Sequence, residues 1–255
     1  MPLVRISSGD IYYTAHGEGH PLIALHAGLG TGMGDFRKYI PLMSARYRFI
    51  LPDRIGYGRS THVESFPEPF FPKQVDDLIE FMDMLGIEKT AFWGWSDGTV
   101  IALNLALRRP DLVSAIVAEA GHYCPVKETN ALFERFLRLG ELTEREIGSF
   151  SRQHSDPYWK TLLRIWAERW LAFNRSTDDF YDDRLGETRC PVIFLIGDGD
   201  EHVRIWEFEK MHELVEGSEL IVFEGAGHAA HLGHSEKAFS RAMSRFLEEH
   251  SLCQK

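Results

Sequence analysis

Positive charge is scarce in this chain. Lys and Arg number 28 against 38 Asp and Glu, a formal net charge of −10, which disfavours nucleic acid or an anionic membrane surface as a partner. Cysteine is scarcer still. Cys124, Cys190 and Cys253 show no paired spacing, so a disulfide scaffold is excluded and reduced thiols in a cytoplasmic setting are expected. No run of about eighteen apolar residues occurs, the length a membrane-crossing helix needs, and the opening MPLVRISSGD has no apolar leader core. A soluble, cytoplasmic protein without a membrane span is therefore expected. Internal repeats and low-complexity segments are also absent. The acidic balance by itself assigns no activity, and the sequence carries no signal for oligomeric state.

What the chain does have is enough apolar material for a sizeable core. With 255 residues, 44% hydrophobic and 26% charged, it fits one large α/β domain with room for an insertion. Residues 3–15 alternate apolar and polar around Ser8-Gly9-Asp10, a hairpin pattern. Leu22-Ile23-Ala24-Leu25 is a continuous apolar run, as in a strand covered on both faces. A helix is expected around 36–45, a strand at 47–51, and a helix over 73–85 from the spacing of Val75, Leu78, Ile79, Met82 and Leu85. A strand at 112–120 follows the helix that ends near Arg109. Alternation then stops: residues 122–188 show only aromatic-rich helical stretches, and it resumes with a strand at 191–196, a helix at 205–215, a strand at 220–223 and a helix at 236–249. The expectation is an α/β fold, a mostly parallel central sheet with helices on both faces. Core residues 1–121 and 189–255 would be interrupted by a helical cap at 122–188.

The stretch around which this organises is Thr90-Ala91-Phe92-Trp93-Gly94-Trp95-Ser96-Asp97-Gly98-Thr99-Val100. A Gly-x-Ser-x-Gly between a buried-strand pattern and a helix pattern is a nucleophile elbow. The serine sits on a turn so tight that the residues two before and two after must lack a Cβ. The turn presents Ser96 Oγ, and the helix N-terminus behind it favours developing negative charge.

A serine hydroxyl needs a base, and the base needs an orienting acid. His228, in Gly225-Ala226-Gly227-His228 just after a strand, is the expected base. The acid is expected in Gly197-Asp198-Gly199-Asp200; Asp200, three residues beyond the glycine that ends the strand, is preferred, with Asp198 the alternative. Two N–H donors must serve the oxyanion, one from Asp97 and one from the loop after His26, at Gly28. Leu29, Trp95, His122 and the Asp97 side chain are the expected substrate contacts. Trp166 and Trp170, one turn apart, read as core or cap-to-core packing rather than pocket lining. Glycines 28, 30, 32 and 34 do not fit a dinucleotide loop, and the His228, His231, His234 run lacks a carboxylate to complete a zinc pattern, so neither a cofactor nor a metal is expected.

His26-Ala27-Gly28-Leu29-Gly30, Asp53-Arg54-Ile55-Gly56-Tyr57-Gly58-Arg59-Ser60, Gly94–Gly98, Gly197–Asp200 and Gly227-His228 resemble, in order and spacing, the α/β-hydrolase superfamily over nearly the whole chain. Gly94-Trp95-Ser96-Asp97-Gly98 and Leu29-Gly30-Thr31-Gly32 followed by Asp35-Phe36 look most like valacyclovir hydrolase and related amino-acid-ester hydrolases. That resemblance implies that the carboxylate of Asp97 recognises a substrate α-amino group. Two departures stand out: Ala27 replaces the usual glycine, and 201–204 lacks the proline common after the acid.

Three functions compete. The first is a small-molecule carboxylic esterase working through an acyl-enzyme. The second is a carbon–carbon hydrolase of ring-fission products, and the third a non-catalytic binding protein of this fold. The intact Ser96, Asp200 and His228 set disfavours the third, and a carboxylate at Asp97 suits a cationic or polar ester better than an anionic dienoate.

Overall fold

The apolar runs read from the sequence are strands covered on both faces. A computed structural model describes residues 2–176 and 178–250. Its strands are β1 (Leu3–Ile6), β2 (Gly9–His16), β3 (His20–Leu25), β4 (Tyr47–Pro52), β5 (Thr90–Trp95), β6 (Val113–Glu119), β7 (Val192–Gly197) and β8 (Glu219–Phe223). They form one sheet in the order β1-β2-β4-β3-β5-β6-β7-β8. The β1–β2 and β2–β4 pairs are antiparallel and all others parallel.

Helices α1 (Gly32–Phe36), α2 (Ile40–Met43) and α9 (Glu236–His250) cover one face, and α3 (Phe70–Met84), α4 (Asp97–Arg108) and α8 (Ile205–Leu214) the other. Side chains alternate across the sheet as the strand repeat of two requires. Leu22, Ala24, Trp93, Val117 and Leu195 pack toward α9, while Ile23, Leu25, Phe92, Ile116 and Phe194 pack toward α3 and α4. Between β6 and β7 lie α5 (Asn130–Leu137), α6 (Glu144–His154) and α7 (Tyr158–Phe173), with no strand among the described residues of that segment. Their aromatics join the core on the α3/α4 side: Trp159, Trp166 and Trp170 are all buried, and Trp170 stacks on Phe133 at 5.3 Å.

Two helices differ from the sequence expectation. The helix expected at 36–45 is split into α1, a single tight turn at Arg37–Tyr39, and α2. Pro41, in the first turn of α2, has no N–H to continue the upstream ladder. Helix α3 begins at Phe70 rather than Lys73, because Pro72 is tolerated in a first turn and Phe70 and Phe71 bury there. Cys124 and Cys190 are free thiols; Cys253 lies outside the described residues. No helix among the described residues is long and apolar enough to cross a membrane.

Candidate active site

Because β3 to β8 run parallel, their carboxyl ends gather on one edge, where ligands bind in sheets of this kind. Register aligns Leu25 with Gly94, Trp95 with Glu119, and Gly197 with Phe223. The loops that follow bring together the residues 26–30, 95–98, 198–204 and 224–231.

The elbow is built by close packing of backbone. Ser96 adopts φ 56° and ψ −120°, a strained conformation for a residue with a Cβ. A Cβ on Gly94 would stand 2.5 Å from the carbonyl oxygen of Gly98, and one on Gly98 would stand 2.0 Å from that of Leu25. Both glycines are therefore obligatory. Ser96 N–H donates to Glu119 O at 2.9 Å, and Thr99 N–H to Ser96 O at 2.9 Å, which fixes the turn between β5, β6 and the start of α4.

Asp200 and His228 meet across the ends of β7 and β8. The Nδ1–H of His228 donates to Asp200 Oδ2 at 2.9 Å, and Asp200 Oδ1 accepts the N–H groups of His202 and Val203 at 2.8 and 3.0 Å. Burial pushes the Asp200 carboxyl up, but the His228 ring and these donors outweigh it and hold the carboxyl below its usual range. Asp198 instead accepts Gly225 N–H at 2.6 Å and ties the β7 and β8 loops together. His202 stacks on His228 with ring centroids 4.4 Å apart, and burial lowers its pKa to about 4. Trp95 supports the same loop, its indole N–H donating to His228 O at 2.9 Å.

The loop after β3 is clamped on several sides. His26 is fully buried; its Nε2 accepts Arg54 N–H at 3.0 Å, leaving Nδ1–H to donate to Ala27 O at 2.8 Å. Burial and the neighbouring Arg54 hold its pKa well below the ordinary value. Asp35 Oδ2 accepts Ala27 N–H at 3.0 Å; burial raises its pKa to about 7. Among the described residues, the N–H groups of Gly28 and Asp97 have no acceptor within the protein.

The Asp97 side chain is buried. Its Oδ2 accepts Trp166 Nε1–H at 3.3 Å and lies 3.9 Å from Arg54 Nη2, while its Oδ1 has no partner. Burial raises its pKa, and Arg54 and Trp166 offset only part of that rise. Trp166 also lies against Gly28, where a Cβ would come within 2.2 Å of its Nε1. It is thus packed against the core, as its helical spacing implies, and it faces the elbow as well. The Nδ1 of His122 lies 3.2 Å from Glu207 Oε2 and its ring packs on Trp170, and the ring is close enough to Asp97 and His202 to act on both electrostatically. Leu29 is half-buried, and its carbonyl is taken by His154.

Several residues beside the site escape sequence reasoning. The carboxylate of Glu119, at the end of β6, accepts three bonds: from Trp93 Nε1–H, His231 N–H and His231 Nδ1–H. His231 thus anchors the His228 loop, and the neighbouring Glu119 outweighs burial to raise its pKa. His154, from α6, bonds two core loops. The position of Glu119 straight after an apolar run was the one local sign of the former; nothing local marks the latter.

The chain belongs to the α/β-hydrolase fold family, whose model matches residues 20–164. A second model, described as TAP-like protein, matches residues 166–254. The chain is 24% identical to the serine hydrolase BPHL of Homo sapiens over 249 residues, 96% of this chain and 85% of that protein. It is 25% identical to a pimeloyl-[acyl-carrier protein] methyl ester esterase of Aliivibrio fischeri, covering 95% of this chain and 99% of that one. Among solved structures, a meta-cleavage product hydrolase from Pseudomonas fluorescens superposes with a TM-score of 0.81 at 23% identity, over 98% of both chains.

Proposed function

We propose that this chain is a serine hydrolase that cleaves a small-molecule carboxylic ester through an acyl-enzyme. Ser96 Oγ attacks the ester carbonyl while His228 takes its proton. Asp200 holds the imidazole with Nδ1–H toward itself and Nε2 toward the serine, and stabilises the imidazolium. The N–H groups of Gly28 and Asp97 receive the oxyanion. His228 returns the proton to the leaving alcohol, and water then repeats the sequence to release the acid. The observation that carries this reading is the 2.9 Å His228–Asp200 bond at the strand ends, beside a serine held in a strained elbow. In this reading residues 122–188 form a cap over the site, with Trp166 as its contact to the elbow.

The Asp97 carboxylate supports a narrower substrate class, esters bearing an α-amino group. A buried carboxylate oxygen without a partner is costly, and an ammonium group placed at Oδ1 would satisfy it. Carbon–carbon hydrolysis, the alternative, would set an anionic dienoate beside the Asp97 carboxylate, which is electrostatically disfavoured. The test is Ser96→Ala assayed on chromogenic amino-acid and acyl esters. Loss of turnover with retained circular dichroism supports the proposal, and retention of more than a few per cent of activity overturns it.

A further inference from the structure

The turn that carries Gly28 is held from the core and also from the cap. Within the turn, Gly30 N–H donates to Ala27 O at 3.2 Å. From the core, Arg54 Nη2 donates to Ala27 O at 3.0 Å and to His26 O at 3.2 Å, and Asp35 accepts Ala27 N–H. From the cap, the last two residues of α6 reach the same loop. His154 Nε2–H donates to Leu29 O at 2.9 Å, and Gln153 Oε1 accepts the Thr31 hydroxyl at 3.1 Å. The other nitrogen of His154, Nδ1, accepts Gly58 N–H at 3.0 Å. That contact fixes the tautomer, since an Nδ1 that accepts leaves the proton on Nε2. His154 is wholly buried, and burial lowers its pKa to about 4, so the ring is neutral at pH 7 and can do both.

The consequence follows from peptide planarity. The Leu29 carbonyl held by His154 and the Gly30 N–H that closes the turn belong to one peptide plane. The Ala27 carbonyl that receives the Gly30 bond and the Gly28 N–H belong to another. A shift of the first plane therefore reaches the second through a single hydrogen bond. We propose that His154 is a positioning residue that couples the cap to the oxyanion hole, bridging Gly58 N–H and Leu29 C=O so that the Gly28 N–H points at the reacting carbonyl only when the cap is seated. This rests on the reading that Gly28 is an oxyanion donor. It differs from mere cap stability in what it protects: the tetrahedral state, not the ground state.

The test uses the full chain with His154→Phe, which keeps a ring but loses both bonds, and His154→Gln, whose side-chain N–H can regain Leu29 O. An arylboronic acid serves as the tetrahedral mimic and benzoate as its planar counterpart. His154→Phe is expected to lower kcat about ten- to a hundredfold and weaken the boronic acid by a similar factor. KM and benzoate affinity should stay within about threefold. His154→Gln should recover part of the kcat. Hydrogen exchange should accelerate at residues 27–31 but not at 94–99. Equal losses for boronic acid and benzoate, or a fall in melting temperature with kcat unchanged, would overturn the proposal. If the wild-type protein binds no boronic acid, the serine-hydrolase reading is what fails. The proposal then falls with it, because it needs Gly28 as an oxyanion donor; where the wild type does bind the boronic acid, unchanged exchange at 27–31 in His154→Phe overturns the coupling alone.

Discussion

Replacing Asp97 by asparagine separates the two jobs assigned to that residue. Its backbone N–H is proposed to serve the oxyanion whatever the side chain does, because Asp97 opens α4 immediately after the Ser96 turn. An asparagine oxygen can still accept Trp166 Nε1–H, which now lies 3.3 Å from Oδ2. Arg54 keeps its bonds to the His26 and Ala27 carbonyls, so the elbow and its loop should survive. What disappears is the negative charge, and the amide would present N–H where Oδ1 now has no partner. A charge-assisted contact in such a site is worth about 1.5–3 kcal/mol, or about ten- to a hundredfold in kcat/KM. The loss should fall on α-amino esters alone, with neutral acyl esters of the same acid changing little. In the wild-type protein the preference should also depend on pH. Burial raises the Asp97 carboxyl above the ordinary range of about 4, so the amino-ester preference should fade as pH drops through that raised value. Steady-state kinetics of both ester classes on wild type and Asp97→Asn decide it. An equal loss on both, or no amino-ester preference in the wild type, would refute the reasoning and leave a plain carboxylesterase.

Other outcomes follow from the same contacts. Asp200→Asn should cost about 10³–10⁴ in kcat because an amide cannot hold the imidazole tautomer. Asp198→Asn, at a side chain that accepts Gly225 N–H, should cost little, and the reverse order would move the acid to Asp198. Glu119→Gln should destabilise the fold by about 3–5 kcal/mol, measured by urea unfolding, since it strips the charge partner from a wholly buried His231. The raised pKa of His231 means its ion pair contributes fully below about pH 6.5 and is lost as pH rises through the folded value; in Glu119→Gln that slope should vanish or reverse, because burial, which lowers the pKa, is no longer outweighed by Glu119. Gly98→Ala should unfold or severely destabilise the protein, because its Cβ would meet Leu25 O at 2.0 Å, while Gly227→Ala, with nothing within 4 Å of its Cβ, should be tolerated in thermal melts.

Those parts of the molecule that follow a local rule were legible in the sequence. Gly94-Trp95-Ser96-Asp97-Gly98 announced its turn because a strand-to-helix elbow forbids a Cβ at two fixed positions. The buried strands announced themselves as unbroken apolar runs such as Val192–Ile196. Helix ends were less legible: Pro41 and Pro72 act through hydrogen bonds that depend on where each helix chooses to begin. The supporting contacts were not legible at all. His154 bonds Leu29 and Gly58 across 125 and 96 residues of chain, and Trp166 reaches Asp97 across 69. Nothing in a helical stripe of aromatics tells which one carries a donor to a buried carboxylate. His122 divides the same way. Its place after β6 points to the site, beside Asp97 and His202, while the Glu207 partner of its Nδ1 is set by where α8 lands.

The acyl-enzyme is the central claim, and trapping it is the most direct test. Rapid mixing of the protein with an activated aryl ester, acid quenching and mass spectrometry should show one acyl group per chain, on the peptide containing Ser96. A burst of phenol equivalent to the enzyme should accompany it, and both should be lost in Ser96→Ala. Acylation of a different residue, or full turnover by Ser96→Ala, would contradict the account.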